Sequence, residues 1–85
     1  MIKVYQIFVD EKAGWATIKP EDFEDDIIDA YMLEYDRNIP QGELTKIMNA
    51  INKMDVWSNI EFRNIKLKFY CREMSKEDFD KTPEW

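Results

Sequence analysis

Residues 60–72 read I-E-F-R-N-I-K-L-K-F-Y-C-R and alternate between apolar and polar side chains. Successive side chains of a β-strand point to opposite faces of the sheet, so this alternation predicts strands that bury one face. A two-residue turn at Arg63 and Asn64 would divide the stretch into a hairpin in which Phe62 lies opposite Ile65. The next pairs of that register match acid with base and apolar with apolar, which favours it.

The beginning of the chain predicts a second hairpin. Residues 2–9, I-K-V-Y-Q-I-F-V, are rich in β-branched and aromatic side chains on both faces, which indicates a central strand rather than an edge strand. Residues 10–14 are mostly polar, end in a glycine and suit a hairpin loop. Residues 15–19 would then form the returning strand.

Two helices are predicted between the hairpins. Pro20 suits the first position of a helix that would end near residues 37–38, with Pro40 just beyond it. Residues 42–53 carry apolar side chains at helical spacing, which predicts a second helix with one buried face.

After the last strand, Ser75 and Asp78 have the spacing of a capping box, which predicts a short C-terminal helix. Trp85 would end the chain, either packed onto the domain or projecting from it. The chain is therefore predicted to be one α+β domain, residues 1–85, in which two helices pack on a small antiparallel sheet of two hairpins in the order ββααββ.

The first predicted helix is strongly acidic, with eight carboxylates and no basic residue in residues 21–36. Asp22, Asp25, Asp26 and Asp29 are spaced i, i+3, i+4 and i+7, so a continuous helix would project them from one face. Like charges at these spacings repel each other. The helix dipole favours acids only in the first turn, so it does not account for the whole stripe. The stripe therefore predicts a surface that meets something positive.

Apolar side chains accompany the acids toward the end of this helix. Leu33 lies close in angle to the stripe and Met32 lies near its edge, and binding faces tend to combine exposed apolar groups with charge. Alternatively, another element covers this end of the helix. The predicted partner-binding residues are Asp22, Asp25, Asp26, Asp29, Met32, Leu33 and Asp36.

Several kinds of chemistry lack the residues that they require. The chain has no histidine, one cysteine and two isolated glycines, so histidine-activated nucleophiles, the usual zinc sites and glycine-rich phosphate loops are excluded. Residues 25–29, D-D-I-I-D, have the DDxxD spacing of magnesium-binding prenyl-diphosphate enzymes, but a chain of 85 residues cannot enclose an isoprenoid cavity. Beyond a weak, adventitious Mg²⁺ or Ca²⁺ contact, no metal or cofactor is expected, and the protein is predicted not to be an enzyme.

No targeting segment or membrane span is evident, and a single cysteine is compatible with a reducing compartment. We therefore expect a cytoplasmic protein that does not enter a membrane.

The last hairpin supplies an alternative binding face of basic and aromatic residues: Arg63, Lys66, Lys68, Tyr70 and Arg72. Cations interleaved with an aromatic ring can bind the backbone and bases of nucleic acid. The net charge of −6 instead favours an ordinary solvated strand face whose lysines discourage edge-to-edge pairing.

Three interpretations of the acidic helix remain open. In the first, it occupies a basic site on a partner protein, such as the nucleic-acid site of an enzyme. In size, charge and lack of catalytic residues the chain resembles small acidic inhibitors of phages and mobile elements and the immunity proteins of nuclease toxins. In the second, it meets the basic strand face of another copy, which implies a weak homodimer rather than a monomer. In the third, it is only solvated, and the function lies elsewhere.

Overall fold

The structure, a computed structural model, describes residues 1–81, so the predicted placement of Trp85 lies outside the described residues. The chain forms a four-stranded antiparallel sheet with helices, which confirms the predicted α+β class. Its strands are β1 (Ile2–Val9), β2 (Lys12–Thr17), β3 (Ser58–Phe62) and β4 (Leu67–Met74). Its helices are α1 (Glu24–Tyr35), α2 (Gln41–Asn52) and α3 (Lys76–Lys81).

The strand order is β2-β1-β4-β3, so β1 is central, as its two apolar faces predict. β1 pairs along its whole length with β4, from Ile2 opposite Met74 to Val9 opposite Leu67. The first and last strands of the chain therefore lie side by side in the middle of the sheet.

The first hairpin differs from the prediction in its turn. β1 and β2 are joined by Asp10 and Glu11 alone, both with positive φ (51° and 67°), and β2 already begins at Lys12. Left-handed backbone at both turn residues matches the twist of paired strands. Gly14 lies in β2 rather than in the loop. A Cβ at this position would lie 2.8 Å from the Ile7 carbonyl oxygen, so glycine permits this close approach of the two backbones.

The second hairpin has a longer turn than predicted. Residues 63–65 form a 3₁₀ turn and Lys66 is left-handed (φ 56°), so Phe62 pairs with Leu67 rather than with Ile65. The predicted register was therefore wrong by two residues. Because side chains alternate with a period of two, this slip leaves every β4 side chain on its predicted face.

The helices follow the predicted segments with shifted ends. Pro20 begins a 3₁₀ turn, α1 begins only at Glu24, and Asp36 ends it in the left-handed conformation (φ 52°). α2 begins at Gln41, one residue before the predicted start. Ser75 accepts a hydrogen bond from the Asp78 backbone N–H (3.1 Å) at the start of α3.

The main core lies between one face of the sheet and helices α1 and α2. The sheet contributes Tyr5, Ile7, Leu67, Phe69 and Cys71. The helical segments contribute Phe23, Ile27, Tyr31, Leu44, Ile47 and Ile51. On the opposite sheet face, a smaller cluster of Val4, Ala16 and Met74 is packed by Ile2 and by Phe79 of α3.

Candidate functional site

The outer side of α1 forms one wall of a groove, which we call the acidic groove. It has a volume of about 390 Å³ and lies between α1, the turn after β1 and the start of β4. Its lining includes the acids Asp10, Asp26, Asp29 and Glu34, the apolar residues Val9 and Leu33, and the cation Lys66. The structure therefore combines carboxylates with apolar surface in one depression.

Asp26 is the most perturbed carboxylate of the groove. Partial burial is the largest cause that raises the pKa of Asp26 from 3.8 to about 6, and the negative charges of Asp29 and Asp25 contribute the rest of the rise. Its own backbone N–H opposes the change only partly. At neutral pH, Asp26 is thus a partly desolvated charge among like charges.

Few cations offset this charge. Lys66 Nζ lies 3.2 Å from Glu34 Oε1, which joins the second hairpin to the end of α1. Within residues 1–81, no lysine or arginine forms an ion pair with Asp25, Asp26 or Asp29. These three charges are available to a cation from another molecule.

The other predicted acids are placed differently. Asp22 belongs to the 3₁₀ turn, not to α1, and its carboxylate accepts a hydrogen bond from Thr17 Oγ1 (2.9 Å). Asp22 and Asp25 line a separate depression beside Trp15. Asp36 is exposed at the end of α1, where its main role is the left-handed helix cap. The predicted stripe is therefore divided between two depressions.

The apolar residues predicted beside the acids are solvent-exposed. Leu33 has 87% of its surface exposed and lines the acidic groove, Met32 has 37%, and Val9 on the opposite wall has 40%. Leu33 and Val9 thus add exposed apolar surface to the acidic lining of one groove, and apolar patches rimmed by polar residues mark interaction sites. The second hairpin meets the end of α1 through Lys66 and Glu34, but the described elements leave Leu33 exposed.

The predicted basic face is only partly assembled. Lys68, Tyr70 and Arg72 lie on β4 on the sheet face that turns away from α1 and α2. Arg63 and Lys66 belong to the turn before β4, where they line a second depression together with Lys68, and Lys66 also pairs with Glu34 of α1. The five residues therefore do not all lie on one strand, because the turn before β4 is longer than predicted.

Sequence reasoning missed two aromatic residues on this sheet face. Phe8 of β1 lies against Tyr70, with ring centroids 5.2 Å apart in an edge-to-face arrangement. Trp57, just before β3, lines the same depression as Phe8 and Tyr70. The alternation of side chains along β1 could have placed Phe8 on the sheet face opposite to that of Ile7. Its contact with Tyr70 could not be predicted, because it depends on the register between β1 and β4.

Residues 1–81 offer no candidate for a metal site or a membrane-spanning helix. No three histidine, cysteine, aspartate or glutamate side chains there are arranged to hold a metal ion. No described helix combines the length and apolar character needed to span a bilayer. Comparison of the chain with protein-family models, curated proteins and solved structures found no significant match.

Proposed function

We propose that this protein is a binding module that attaches to a basic surface of a partner protein through the acidic groove. The observation that carries the proposal is the combination of unpaired Asp26 and Asp29 with the exposed Leu33 in one depression. Such a groove suits an arginine or lysine side chain, whose aliphatic stem covers apolar surface while its charged end meets carboxylates.

Desolvation of Asp26 favours this kind of ligand. A cation that enters the groove supplies an ion-pair partner for Asp26 and Asp29, which no lysine or arginine of residues 1–81 provides. Complementary charge also raises the association rate and disfavours partners without a basic surface. The partner class that fits best is a protein with a basic site, and a nucleic-acid-handling enzyme is the leading example because carboxylates on a rigid helix can occupy phosphate positions.

The test compares two variants of equal net charge. Asp26→Lys/Asp29→Lys reverses charge in the acidic groove on α1, whereas Glu77→Lys/Asp80→Lys makes the same change on the exposed surface of α3. Proteins captured from cell lysate at about 0.15 M salt and released at about 0.5 M should bind the native protein and the α3 variant but not the α1 variant. Equal capture by all three forms would contradict the proposal.

A third variant separates the groove from bulk charge. Leu33→Ser keeps every charge but removes an exposed apolar group from the groove. With a captured partner in purified form, we expect it to weaken binding about fivefold, which is the ~1 kcal/mol lost when one of the few centrally buried interface side chains that dominate affinity is truncated. Unchanged affinity would mean that charge alone drives the capture.

Self-association is the alternative use of the same groove, with the basic strand face of a second copy as its ligand. If the protein self-associates in this way, its mass measured by sedimentation should rise with protein concentration at low salt and fall to the monomer value as the salt concentration increases. A monomer at every salt concentration would exclude it and leave the heterologous partner.

A further inference from the structure

The sheet face that points away from α1 and α2 carries a second surface with its own chemistry. We call it the open face and define it by six residues: Gln6, Phe8, Trp57, Lys68, Tyr70 and Arg72. Five of these residues line a depression of about 420 Å³, and the sixth, Lys68, lies over the Tyr70 ring. α3 packs on the other end of this face through Phe79 and leaves the depression uncovered by any described element.

Aromatic rings dominate the centre of the open face. Phe8 and Tyr70 lie on the two central strands with ring centroids 5.2 Å apart and an interplanar angle of 70°. Trp57 stands at the edge of the depression with 69% of its surface exposed. The main core lies on the other side of the sheet, so these three rings are not needed to fill it.

Cations border these rings. The Lys68 ammonium lies 5.1 Å from the centroid of the Tyr70 ring, and Arg72 is exposed beside the same ring in the depression. Glu61, an acid of the neighbouring strand, lies opposite Lys68 and has Arg63 Nε 3.6 Å from its carboxylate. The local charge is therefore positive although the whole chain is acidic.

We propose that the open face binds single-stranded nucleic acid. Its aromatic rings offer stacking surfaces for successive bases, and stacking is tolerant of sequence because every base has a π-face. Lys68 and Arg72 are placed to contact phosphates on either side of Tyr70. The Gln6 amide lies in the depression, where it can donate and accept hydrogen bonds at a base edge.

The acidic helix does not prevent this contact. α1 packs on the opposite face of the sheet, so its carboxylates are separated from the open face by the core and the sheet itself. Exposed charges separated by more than a Debye length of ~8 Å are largely screened at physiological ionic strength. The net charge of −6 slows the approach of a polyanion, but the local cations and rings determine the contact.

The test uses fluorescently labelled oligo-dT and oligo-rU of about 12 nucleotides, a length within the range bound by small sheet platforms. Anisotropy is measured at about 50 mM salt with protein up to ~100 µM, the weak end of the non-specific range. We expect saturable binding of at least one oligonucleotide, and the two arms distinguish DNA from RNA. No binding of either by the native protein overturns the proposal.

Aromatic substitutions test the stacking contribution. Tyr70→Ala should weaken binding ~10-fold or more, whereas Tyr70→Phe, which keeps the ring, should bind like the native protein. Trp57→Ala should weaken binding similarly, and its exposed position means that the fold should not depend on it. Far-UV circular dichroism and the thermal midpoint establish that each variant folds. Native affinity in both folded alanine variants would refute the role of the rings.

Charge substitutions use a matched control. Lys68→Gln/Arg72→Gln should lower the slope of log K against log salt by about 1.4, because each phosphate contact on a single strand contributes ~0.7. Lys46→Gln/Lys53→Gln removes the same charge from exposed positions on and just after α2 and should change little. Equal losses in both pairs would show that only net charge matters. A mass that rises with concentration and falls to monomer in Lys68→Gln/Arg72→Gln would instead make this face an interface between copies.

Discussion

Asp26 provides the sharpest test of the electrostatics of α1, because its charge is partly desolvated and repelled by its neighbours. Replacing it with asparagine removes the charge and keeps the size of the side chain. We expect Asp26→Asn to stabilise the protein at neutral pH. A gain from deleting a native group would show that the fold tolerates this carboxylate rather than requires it.

The magnitude follows from the pKa. A rise from 3.8 to about 6 corresponds to an upper limit of ~3 kcal/mol at 1.36 kcal/mol per pKa unit. The side chain keeps contact with water, so screening reduces the effect, and we expect about 1 kcal/mol. For a domain of this size, about 1 kcal/mol raises the thermal midpoint by ~4–8 °C.

The pH dependence fixes the sign. Because the folded-state pKa of Asp26 is raised, the folded protein binds this proton more tightly than the unfolded chain, and ionisation costs stability as pH rises from 3.8 to about 6. The advantage of Asp26→Asn should therefore be absent near pH 3.8, grow across this window and level off above about pH 6. Urea unfolding at about pH 4 and about pH 7.5 measures it directly.

The control is Glu24→Gln, which removes one charge from the same turn at an exposed position. Only a few tenths of a kcal/mol are expected there, from relief of like-charge pairs. The reasoning would be refuted if Asp26→Asn were no more stable than the native protein at about pH 7.5, or if its gain were the same at both pH values.

Four further substitutions test local backbone geometry and helix capping. Gly14→Ala should destabilise the protein by about 1–3 kcal/mol, because the new Cβ would lie 2.8 Å from the carbonyl oxygen of Ile7. At Gly42 a new Cβ meets nothing within 4 Å, so Gly42→Ala should be neutral or stabilising. Thermal unfolding compares the two variants. Trp57→Gly should gain about 1 kcal/mol in urea unfolding, since its φ of 68° suits glycine better than tryptophan, and the same variant should lose oligonucleotide binding. Ser75→Ala should remove the N-terminal cap of α3 and lower the stability of this helix by about 0.5–2 kcal/mol. Amide hydrogen exchange should become faster in α3 and stay unchanged in the sheet.

The fold class could be predicted because each segment carries a strong local pattern. The central position of β1 followed from apolar residues on both of its faces, and the buried side of β4 followed from its alternation. Turn geometry could not be predicted in the same way. Nothing local distinguishes a two-residue turn at Arg63 and Asn64 from the observed turn, in which buried Ile65 and left-handed Lys66 take part.

The candidate sites were less predictable because they depend on pairings between distant segments. The acids of α1 were visible in the sequence, but their division between two depressions depends on the 3₁₀ turn that contains Asp22. The contact of Phe8 with Tyr70 joins residues from opposite ends of the chain through the β1–β4 register. Trp57 gave no periodic signal at all, since it lies outside every regular element.

The two proposed surfaces share a property that the core lacks: each contains a residue that makes the fold less stable. On α1 this residue is Asp26, whose charge is desolvated without a cation, and on the open face it is Trp57, held with positive φ and largely exposed. Sequences under selection for folding alone readily lose such residues, because stabilising substitutions at these positions are easy to find. Local conflicts with the rules of folding are expected at functional or strained sites, which is why we propose binding at these two surfaces. The core on one face of the sheet accounts for stability, and the outer side of α1 and the open face are the surfaces on which binding should be sought.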